Sequence, residues 1–308
     1  MKLLTTTEWI AHFLATEPPR SKSLVMTIFG DAIAPHGGAS WLGSLIELLA
    51  PFGVNDRLLR TSVFRLVQEG WLVARRDGRR SAYAIMPAAL PRFERANRRI
   101  YAPPTAHWDG SWTLLLAAAS VIDAPTRTQL RKELEWEGYA QVAQGVYGHP
   151  SGSAEVIEEI MARAGVKGKL LVCRAREFDM VSTRPLRELA AEGWDLAEVV
   201  QGYRRFGEQF APLLSLLQSG EQLAPEQAFV VRTLLIHAYR RVQLHDPMLP
   251  IELLPDPWPG SEAYALARSL YRLTQASAEL HVNSALRRED AEAPEADAAF
   301  YQRFGGLE

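Results

Sequence analysis

Seven arginines lie between residues 57 and 80 of a chain whose formal net charge is only −2. A guanidinium group stays protonated at neutral pH and can donate two parallel hydrogen bonds to a phosphate or to the edge of a guanine. Three of the seven are spaced along a helix-like segment, and the other four flank an Asp77-Gly78 turn. Arginines concentrated in this way are typical of a surface that contacts nucleic acid.

Positive charge is concentrated in the N-terminal third of the chain, and negative charge in the remainder. Residues 1–100 contain 14 Lys and Arg against 8 Asp and Glu, a balance of +6, whereas the remaining residues carry 20 against 28, a balance of −8. A basic N-terminal third joined to an acidic remainder is expected when one domain binds a polyanion and the rest has another task.

Three predicted helices precede and carry part of the arginine cluster. Apolar spacing predicts a first helix over residues 21–35, and Ser40 can cap a second helix that ends before Pro51. A third helix begins after Asn55, which can act as its N-cap. The apolar stripe of this third helix consists of Leu59, Val63, Leu66 and Val67.

A β-hairpin is predicted after the third helix, with its turn at Asp77-Gly78. Three helices and a hairpin form the plan of a winged helix-turn-helix domain, which we expect over residues 1–86. In that plan the third helix enters the major groove and the hairpin contacts phosphates. The predicted DNA-binding residues are Arg57, Arg60, Thr61, Ser62 and Arg65 on the helix and Arg75, Arg76, Arg79, Arg80 and Tyr83 on the hairpin. Two alternatives stay open from the residues alone: a solvated basic face, and a winged helix that binds only protein.

The rest of the chain divides into a linker, two domains and a tail. Residues 87–107 are predicted to be a proline-containing linker. Residues 108–180 alternate as β-α-β-β-α-β, the order of a ferredoxin-like domain. Residues 181–286 are predicted to be an all-α domain, and residues 287–308 an acidic, loosely held tail. The predicted fold class is therefore α+β.

The patterns of several enzyme classes are missing from the sequence. It contains no Walker loop, no G-x-G-x-x-G and no G-x-S-x-G, so nucleotide hydrolysis, a Rossmann dinucleotide site and hydrolase chemistry lack support. Cys173 is the single cysteine, and the seven histidines show no ligand spacing, so neither a metal site nor a cofactor is predicted. We find no membrane-spanning apolar run and no secretory signal, which predicts a cytoplasmic protein without a membrane partner.

Three separated motifs resemble the PaaX family of bacterial transcriptional repressors. They are RTSVFRLVQEGWLVARRDGRRSAY, GWDLAEVVQGYRRF and RRVQLHDPMLPIELLPDPWPG, and they occur in the family's order. The resemblance implies a dimeric repressor that binds double-stranded operator DNA of genes for phenylacetate catabolism. It also implies that the aryl-CoA thioester phenylacetyl-CoA acts as the effector that releases the repressor; the alternative is a regulator of a pathway that responds to another acyl-CoA ester.

The middle domain is similar to the Cas2-like fold, which raises a nuclease as the competing hypothesis. Nuclease members of that fold carry a metal-binding aspartate near the end of the first strand, where this chain has Ala117, Ala118 and Ala119. Asp123 comes later and is predicted to cap the following helix. A single carboxylate offers too few oxygens to hold a divalent metal, so a dimerising scaffold is the preferred interpretation.

An aryl-CoA thioester presents an apolar ring and several phosphates, so its site is expected to combine aromatic and basic side chains. The predicted C-terminal helices offer two sets of aromatic and basic residues, one after Trp194 and one before Trp258. Each also has a plainer interpretation, because Trp and Tyr commonly join helices and an Arg-Arg pair is often a solvated face. The candidate effector-binding residues are Trp194, Tyr203, Arg204, Arg205, Tyr239, Arg240, Arg241 and Trp258.

Overall fold

The computed structural model describes residues 5–103, 108–117, 121–176 and 186–307. The chain mixes helices with two antiparallel sheets, as expected for an α+β protein. It divides into two compact units. The first comprises Met1–Pro103, Arg204–Arg241 and Glu262–Glu308, and the second comprises Pro104–Tyr203 and Val242–Ser261.

Two N-terminal helices of the first unit, α1 and α4, begin at residues whose side chains cap them. Helix α1 (Thr6–Thr16) starts with a capping box, in which the Thr5 hydroxyl accepts from the Glu8 amide and the Glu8 carboxylate accepts from the Thr5 amide. Helix α4 (Asp56–Gln68) starts at Asn55, whose side chain accepts from the Leu58 amide at 2.9 Å, as predicted. The other helices here are α2 (Ser21–Ile28), α3 (Leu42–Leu49) and α5 (Leu90–Tyr101), with a π-helical turn at Phe29–Ile33.

The predicted hairpin forms two strands of a three-stranded antiparallel sheet. Strands β1 (Ala39–Trp41), β2 (Leu72–Asp77) and β3 (Arg80–Ile85) lie in the order β1-β3-β2. Asp77 pairs with Arg80, so the turn consists of Gly78 and Arg79, one residue later than predicted. Gly78 has a φ of +56°, which glycine adopts without strain at the first position of a two-residue turn. The shift places Arg79 at the tip of the hairpin.

The second unit contains the predicted β-α-β-β-α-β order. Its strands β4 (Ser111–Leu116), β5 (Ala140–Ala143), β6 (Val146–His149) and β7 (Leu171–Arg176) form an antiparallel sheet in the order β5-β6-β4-β7. Helices α6 (Ala124–Trp136) and α7 (Ala154–Arg163) lie between the strands in sequence, and α8 (Leu186–Gly193) follows them. The core of this unit includes Leu115, Leu130, Leu134, Ile157 and Ile160.

Four further α-helices follow in the described part of the chain. They are α9 (Ala197–Gln218), α10 (Pro225–Gln243), α11 (Pro259–Glu289) and the short α12 (Ala298–Tyr301). Residues 228–237 of α10 are all buried. A helix that is buried on every side lies at the centre of its core, so this part of α10 is central to the first unit.

A buried charge cluster lies in the first unit, where Asp31 of the π-helical turn meets two arginines. Its carboxylate is 3.0 Å from Nε of Arg232 and 3.1 Å from Nη1 of Arg303. Arg232 also donates to Glu279 at 2.5 Å. Two tyrosine hydroxyls complete the set by donating to Asp31. The buried charge cluster consists of Asp31, Tyr101, Arg232, Tyr271, Glu279 and Arg303.

The charged states of Glu279 and Arg232 in the buried charge cluster follow from their contacts with groups of opposite charge. Burial raises the pKa of Glu279, but the charge of Arg232 and the hydrogen bonds from His36 and Arg232 outweigh it and lower the pKa to about 2. Burial lowers the pKa of Arg232, and the nearby Asp31 more than reverses this. Glu279 and Arg232 therefore stay charged at neutral pH, because each lies beside a group of opposite charge.

The C-terminal tail is not loosely held, contrary to the expectation from its composition. Phe300, Phe304 and Leu307 are buried, and Arg303 joins the buried charge cluster. The acidic character of the tail belongs to its first part, whereas its last ten residues include these apolar groups. Burial of two phenyl rings offsets the entropy of ordering such a short segment.

The hydrogen bonds of His36 predict that the stability of the first unit depends on pH. Its Nε2 lies 2.9 Å from the Glu279 carboxylate and its Nδ1 lies 2.8 Å from the Pro294 carbonyl, so only the doubly protonated ring donates to both. Burial lowers the pKa of His36, but these bonds outweigh it and raise the pKa above 6.5.

A raised pKa in the folded state contributes stability that is complete below pH 6.5 and is lost as the pH rises through the folded-state pKa. We therefore expect the His36 contribution to the free energy of unfolding to decrease as the pH rises above about 6.5, as measured by urea denaturation. His36→Gln should lack this decrease, and His12→Gln, at an exposed position, should retain it. Equal pH profiles for all three proteins would contradict the assignment.

Candidate DNA interface

Helix α4 has one face in the core and one face in solvent. Leu59 and Val63 are fully buried, and Leu66 is 1% exposed. Residues spaced three or four positions apart lie on the same face of a helix. The buried face of α4 is therefore the one that carries Leu59, Val63 and Leu66, and the opposite face points away from the core. The exposed side chains on that outward side include the predicted residues Arg57, Arg60, Thr61 and Arg65.

Two of these side chains have partners within α4. Nε of Arg60 lies 2.9 Å from the carboxylate of Asp56, one turn earlier. The Thr61 hydroxyl donates to the Arg57 carbonyl at 2.9 Å. An exposed ion pair of this type contributes about 0–1 kcal/mol, so Arg60 can exchange Asp56 for a phosphate or a guanine at small cost.

Ser62 lies on the buried side of α4 and is only 4% exposed. Its hydroxyl donates to the Leu58 carbonyl at 2.9 Å and lies 2.8 Å from the Ser21 hydroxyl of α2. These contacts join α4 to α2. We therefore leave Ser62 out of the surface that DNA could reach.

The hairpin exposes Arg75, Arg76 and Arg79. Arg75 and Arg76 are consecutive on β2, and successive strand residues point to opposite faces. The side chains of Arg75 and Arg76 therefore leave β2 on opposite faces, and Arg79 lies at the tip of the hairpin. Arginines on both faces and at the tip of a hairpin can contact phosphates on more than one side of it, as expected for a hairpin that lies along a DNA backbone.

Arg80 differs from the other hairpin arginines because it contacts the end of helix α11. Its Nη2 donates to the main-chain carbonyl of Glu289 at 2.6 Å and to the Glu289 carboxylate at 2.7 Å. Its guanidinium also lies 4.1 Å from the ring centre of Trp41 on β1. A cation at the C-terminus of a helix satisfies carbonyls that have no partner within the helix. Arg80 thus links the hairpin to α11.

Glu289 approaches α3 closely as well. A Cβ atom on Gly43 would lie 2.6 Å from its carboxylate, so this contact requires the absence of a side chain at Gly43. The neighbouring Arg288 pairs with Glu47 of α3 at 3.0 Å. The last turn of α11 therefore contacts both α3 and the hairpin, an arrangement that local sequence patterns do not predict.

A cavity of about 420 Å³ lies beside this contact, between the hairpin sheet and the end of α11. Tyr83, which is half-buried on β3 and faces Ser40 of β1 in the ladder, forms part of its wall. Trp41 and Arg75 also line it. A second cavity of about 470 Å³ lies between α5 and the tail. None of the eight candidate effector residues lines either of these two cavities.

The aromatic effector candidates of the second unit are mostly core side chains. Trp194 is 8% exposed and donates to the Gly138 carbonyl at 2.7 Å. Tyr203 is 2% exposed, and its hydroxyl lies 2.6 Å from both Gln243 and Asp246. Trp258 is half-buried, with its ring centre 5.8 Å from that of Tyr203. The structure brings Tyr203 and Trp258 together within this unit.

The remaining effector candidates belong to the first unit. Tyr239 is 1% exposed, with its ring 5.3 Å from that of Phe206. Arg240 is half-buried, and this burial, with the charge of Arg241, lowers its pKa. Arg241 and Arg204 are exposed, as is Arg205, which pairs with Glu17. Of the eight candidates, these arginines remain accessible to a charged ligand.

No metal centre is found in the described ranges. There, no group of three or more His, Cys, Asp and Glu side chains could hold a metal ion. Asp123 caps α6 by accepting from the Thr126 amide at 2.8 Å, as predicted, and this bond lowers its pKa. Ala118 and Ala119 lie outside the described residues, and Ala117 is the last described residue of that segment. Among the described helices, none is both long and apolar enough to cross a membrane.

The exposed apolar residues of α4 were not among the predicted site residues. Phe64 is 62% exposed and Leu58 is 44% exposed, and both lie on the outward part of the helix. Phe64 follows Arg57 by seven positions, so the spacing that identified the arginines could also have placed Phe64 beside them.

Family models match three successive parts of the chain. Residues 20–87 match a PaaX-like protein model, residues 105–189 match the PaaX protein central Cas2-like domain, and residues 194–284 match the PaaX-like protein C-terminal domain. The predicted Cas2-like character of the middle domain is thus confirmed.

Comparison with individual proteins gives the same result. The transcriptional repressor PaaX of Escherichia coli strain K12 is 36% identical over 300 residues, which cover 97% of this chain and 94% of that protein. Among solved structures, an uncharacterized protein of Mycobacterium tuberculosis is similar, with a TM-score of 0.51 and 26% identity over 83% of this chain and 98% of its own.

Proposed function

Since the chain belongs to the PaaX family of transcriptional repressors, we propose that α4 and the β2–β3 hairpin form the surface that binds its operator DNA. The chain is a PaaX-type repressor and not an enzyme, because a transcriptional repressor matches it over nearly its whole length. On this proposal, residues 1–86 act as a winged helix-turn-helix domain, with α4 in the major groove and the hairpin on the phosphate backbone.

The observation that carries the proposal is the division of α4 into a buried apolar face and an exposed face with three arginines. A helix whose cations were needed for stability would pair them internally, yet among Arg57, Arg60 and Arg65 the ion pair that the structure gives is the weak one between Arg60 and Asp56. The exposed hairpin arginines add cations that suit phosphate contact.

We further propose that the repressor binds as a homodimer that controls phenylacetate catabolic genes. Two-fold symmetry in the protein would match paired operator half-sites. The Cas2-like domain is the proposed dimerisation element, and residues 181–286 the proposed all-α domain. A repressor must reach chromosomal DNA, so the cytoplasmic location is part of the same proposal.

Phenylacetyl-CoA is the proposed effector, and it would act by stabilising a state in which the two DNA-binding domains no longer match their half-sites. Titration calorimetry with phenylacetyl-CoA, coenzyme A and phenylacetate tests this. We expect binding by the thioester and a lower affinity for duplex DNA in its presence. Equal DNA affinity with and without a bound thioester would contradict the effector role.

Arg60→Ala is expected to weaken specific DNA binding by about 1–3 kcal/mol, because a bidentate arginine–guanine contact discriminates by that amount. The measurement is a gel-shift titration with a duplex selected by the wild-type protein from a random pool. The loss should be confined to the selected sequence, whereas binding to unrelated duplexes should change little.

Arg131→Ala is the matched control for Arg60→Ala. Arg131 is also half-exposed on a helix and also lies near a carboxylate four residues away, at 3.6 Å from Glu135. This variant should bind the selected duplex as the wild type does. Equal losses in the two variants, or no loss in either, would remove Arg60 from the reading residues.

A further inference from the structure

Phe64 occupies the middle of the outward face of α4. It lies between Thr61 and Gln68, three and four positions away, and seven positions after Arg57. At 100° per residue these four side chains form a line along the helix, opposite the buried Leu59, Val63 and Leu66. The phenyl ring is 62% exposed in the middle of this line.

Most of the exposed side chains around Phe64 are cationic or polar, although Leu58 on the same helix is also exposed. Arg57, Arg60 and Arg65 are exposed around it. A single exposed apolar residue needs no explanation in general, but a phenyl ring surrounded by arginines is poorly suited to an apolar protein partner. It is well suited to a polyanion that offers an apolar group between its phosphates.

The major groove of DNA offers such a group at thymine. Its C5-methyl is the apolar feature in the pattern that base pairs present there, and Phe is among the side chains that contact it. Phe64 has no hydrogen-bond donor or acceptor, so it cannot distinguish the polar edges of bases. The methyl group is therefore the part of a base edge that it can recognise.

We propose that Phe64 is a specificity-determining residue that contacts the C5-methyl of a thymine in each operator half-site. This inference rests on the proposed function, because it requires α4 to lie in the major groove. It adds a base preference to that function: the half-site contains a T·A pair opposite the middle of α4, flanked by the contacts of Arg57 and Arg60.

The test combines a protein substitution with removal of the methyl group from the DNA. The probe is a duplex selected by the wild-type protein from a random pool, in which each thymine is replaced by uracil, one position at a time. Uracil lacks only the methyl group. Burial of one such group corresponds to about a fourfold change in affinity, so we expect a loss of about fourfold at one position per half-site in the wild type.

Phe64→Ala should bind the unmodified duplex several-fold more weakly and should be insensitive to uracil at that position. Phe64→Leu, which keeps an apolar side chain, should remain sensitive. Arg65→Ala is the matched control on the same face and should also remain sensitive, because it leaves the ring in place. Phe64 is exposed, so circular dichroism of these variants should match that of the wild type.

The outcomes separate this inference from the proposed function. If the wild type selects no duplex, the proposed function fails and the inference fails with it. If Arg60→Ala weakens binding but the wild type and Phe64→Ala respond equally to every uracil, α4 reads DNA and the role of Phe64 is overturned. A loss of self-association in Phe64→Ala with unchanged uracil sensitivity would make the ring a protein contact and would also overturn it.

Discussion

Asp31→Ala is expected to lower the free energy of unfolding by about 3–5 kcal/mol, because it removes the carboxylate that the buried Arg232 and Arg303 share, and Arg232 keeps only Glu279 as a carboxylate partner. Asp31 is 2% exposed, and its carboxylate lies within 3.1 Å of both Arg232 and Arg303. Two tyrosine hydroxyls lose their acceptor in the same substitution. Hydration cannot replace these contacts without opening the core of the first unit.

The measurement is urea denaturation followed by circular dichroism, with Glu69→Ala as the control. Glu69 also pairs with a cation, Lys22, at 2.7 Å, but both side chains are more than 40% exposed. Glu69→Ala should lower the free energy of unfolding by less than about 1 kcal/mol. Asp31→Asn keeps the shape of the side chain and should still be strongly destabilising. Equal costs for Asp31→Ala and Glu69→Ala would mean that the buried charge cluster does not hold the first unit together.

The triple variant Arg75→Ala, Arg76→Ala, Arg79→Ala is expected to lose affinity for every duplex at low salt. Each phosphate contact contributes about 0.9 to the slope of log K against log salt concentration, so the slope should become shallower by up to about 2.7. The loss should be independent of sequence, since phosphate contacts carry no base information. This distinguishes the hairpin from Arg60, whose replacement should act on the selected sequence.

A charge-matched control uses three exposed arginines outside α4 and the hairpin. Replacing Arg131, Arg204 and Arg287 by alanine changes the net charge by the same amount. Its salt slope should equal that of the wild type. If both triple variants shifted the slope equally, the hairpin would act only through overall charge, and the proposed phosphate contacts would be wrong.

The local elements of the interface were predictable because each follows from short-range physics. Asn55 caps α4 as predicted, and the apolar stripe from Leu59 to Leu66 lies in the core. The hairpin turn lies one residue later than predicted, because Gly78 supplies the positive φ at the first position of the turn. Ser62 was predicted to contact DNA but is buried. Its spacing already indicated the buried face, because it lies three positions after Leu59 and four before Leu66.

The long-range contacts were not predictable from sequence spacing. Arg80 meets Glu289 across more than two hundred residues, and no local pattern connects them. Arg303 belongs to the tail that was predicted to be loosely held, yet it is 6% exposed beside Asp31. The aromatic residues Trp194 and Tyr203 satisfied a general expectation for a ligand site, but their burial and hydrogen bonds are those of core side chains. In each case the deciding interaction joins distant parts of the chain.

Arginine footprinting tests the central claim most directly. The protein is treated with a dicarbonyl reagent that modifies accessible guanidinium groups, with and without the selected duplex, and the modified positions are found by mass spectrometry. We expect protection of Arg57, Arg60 and Arg65 on α4 together with Arg75, Arg76 and Arg79 on the hairpin, while Arg131 and Arg204 stay reactive. Unchanged reactivity at the first six, with protection elsewhere, would contradict a DNA-binding surface formed by α4 and the hairpin.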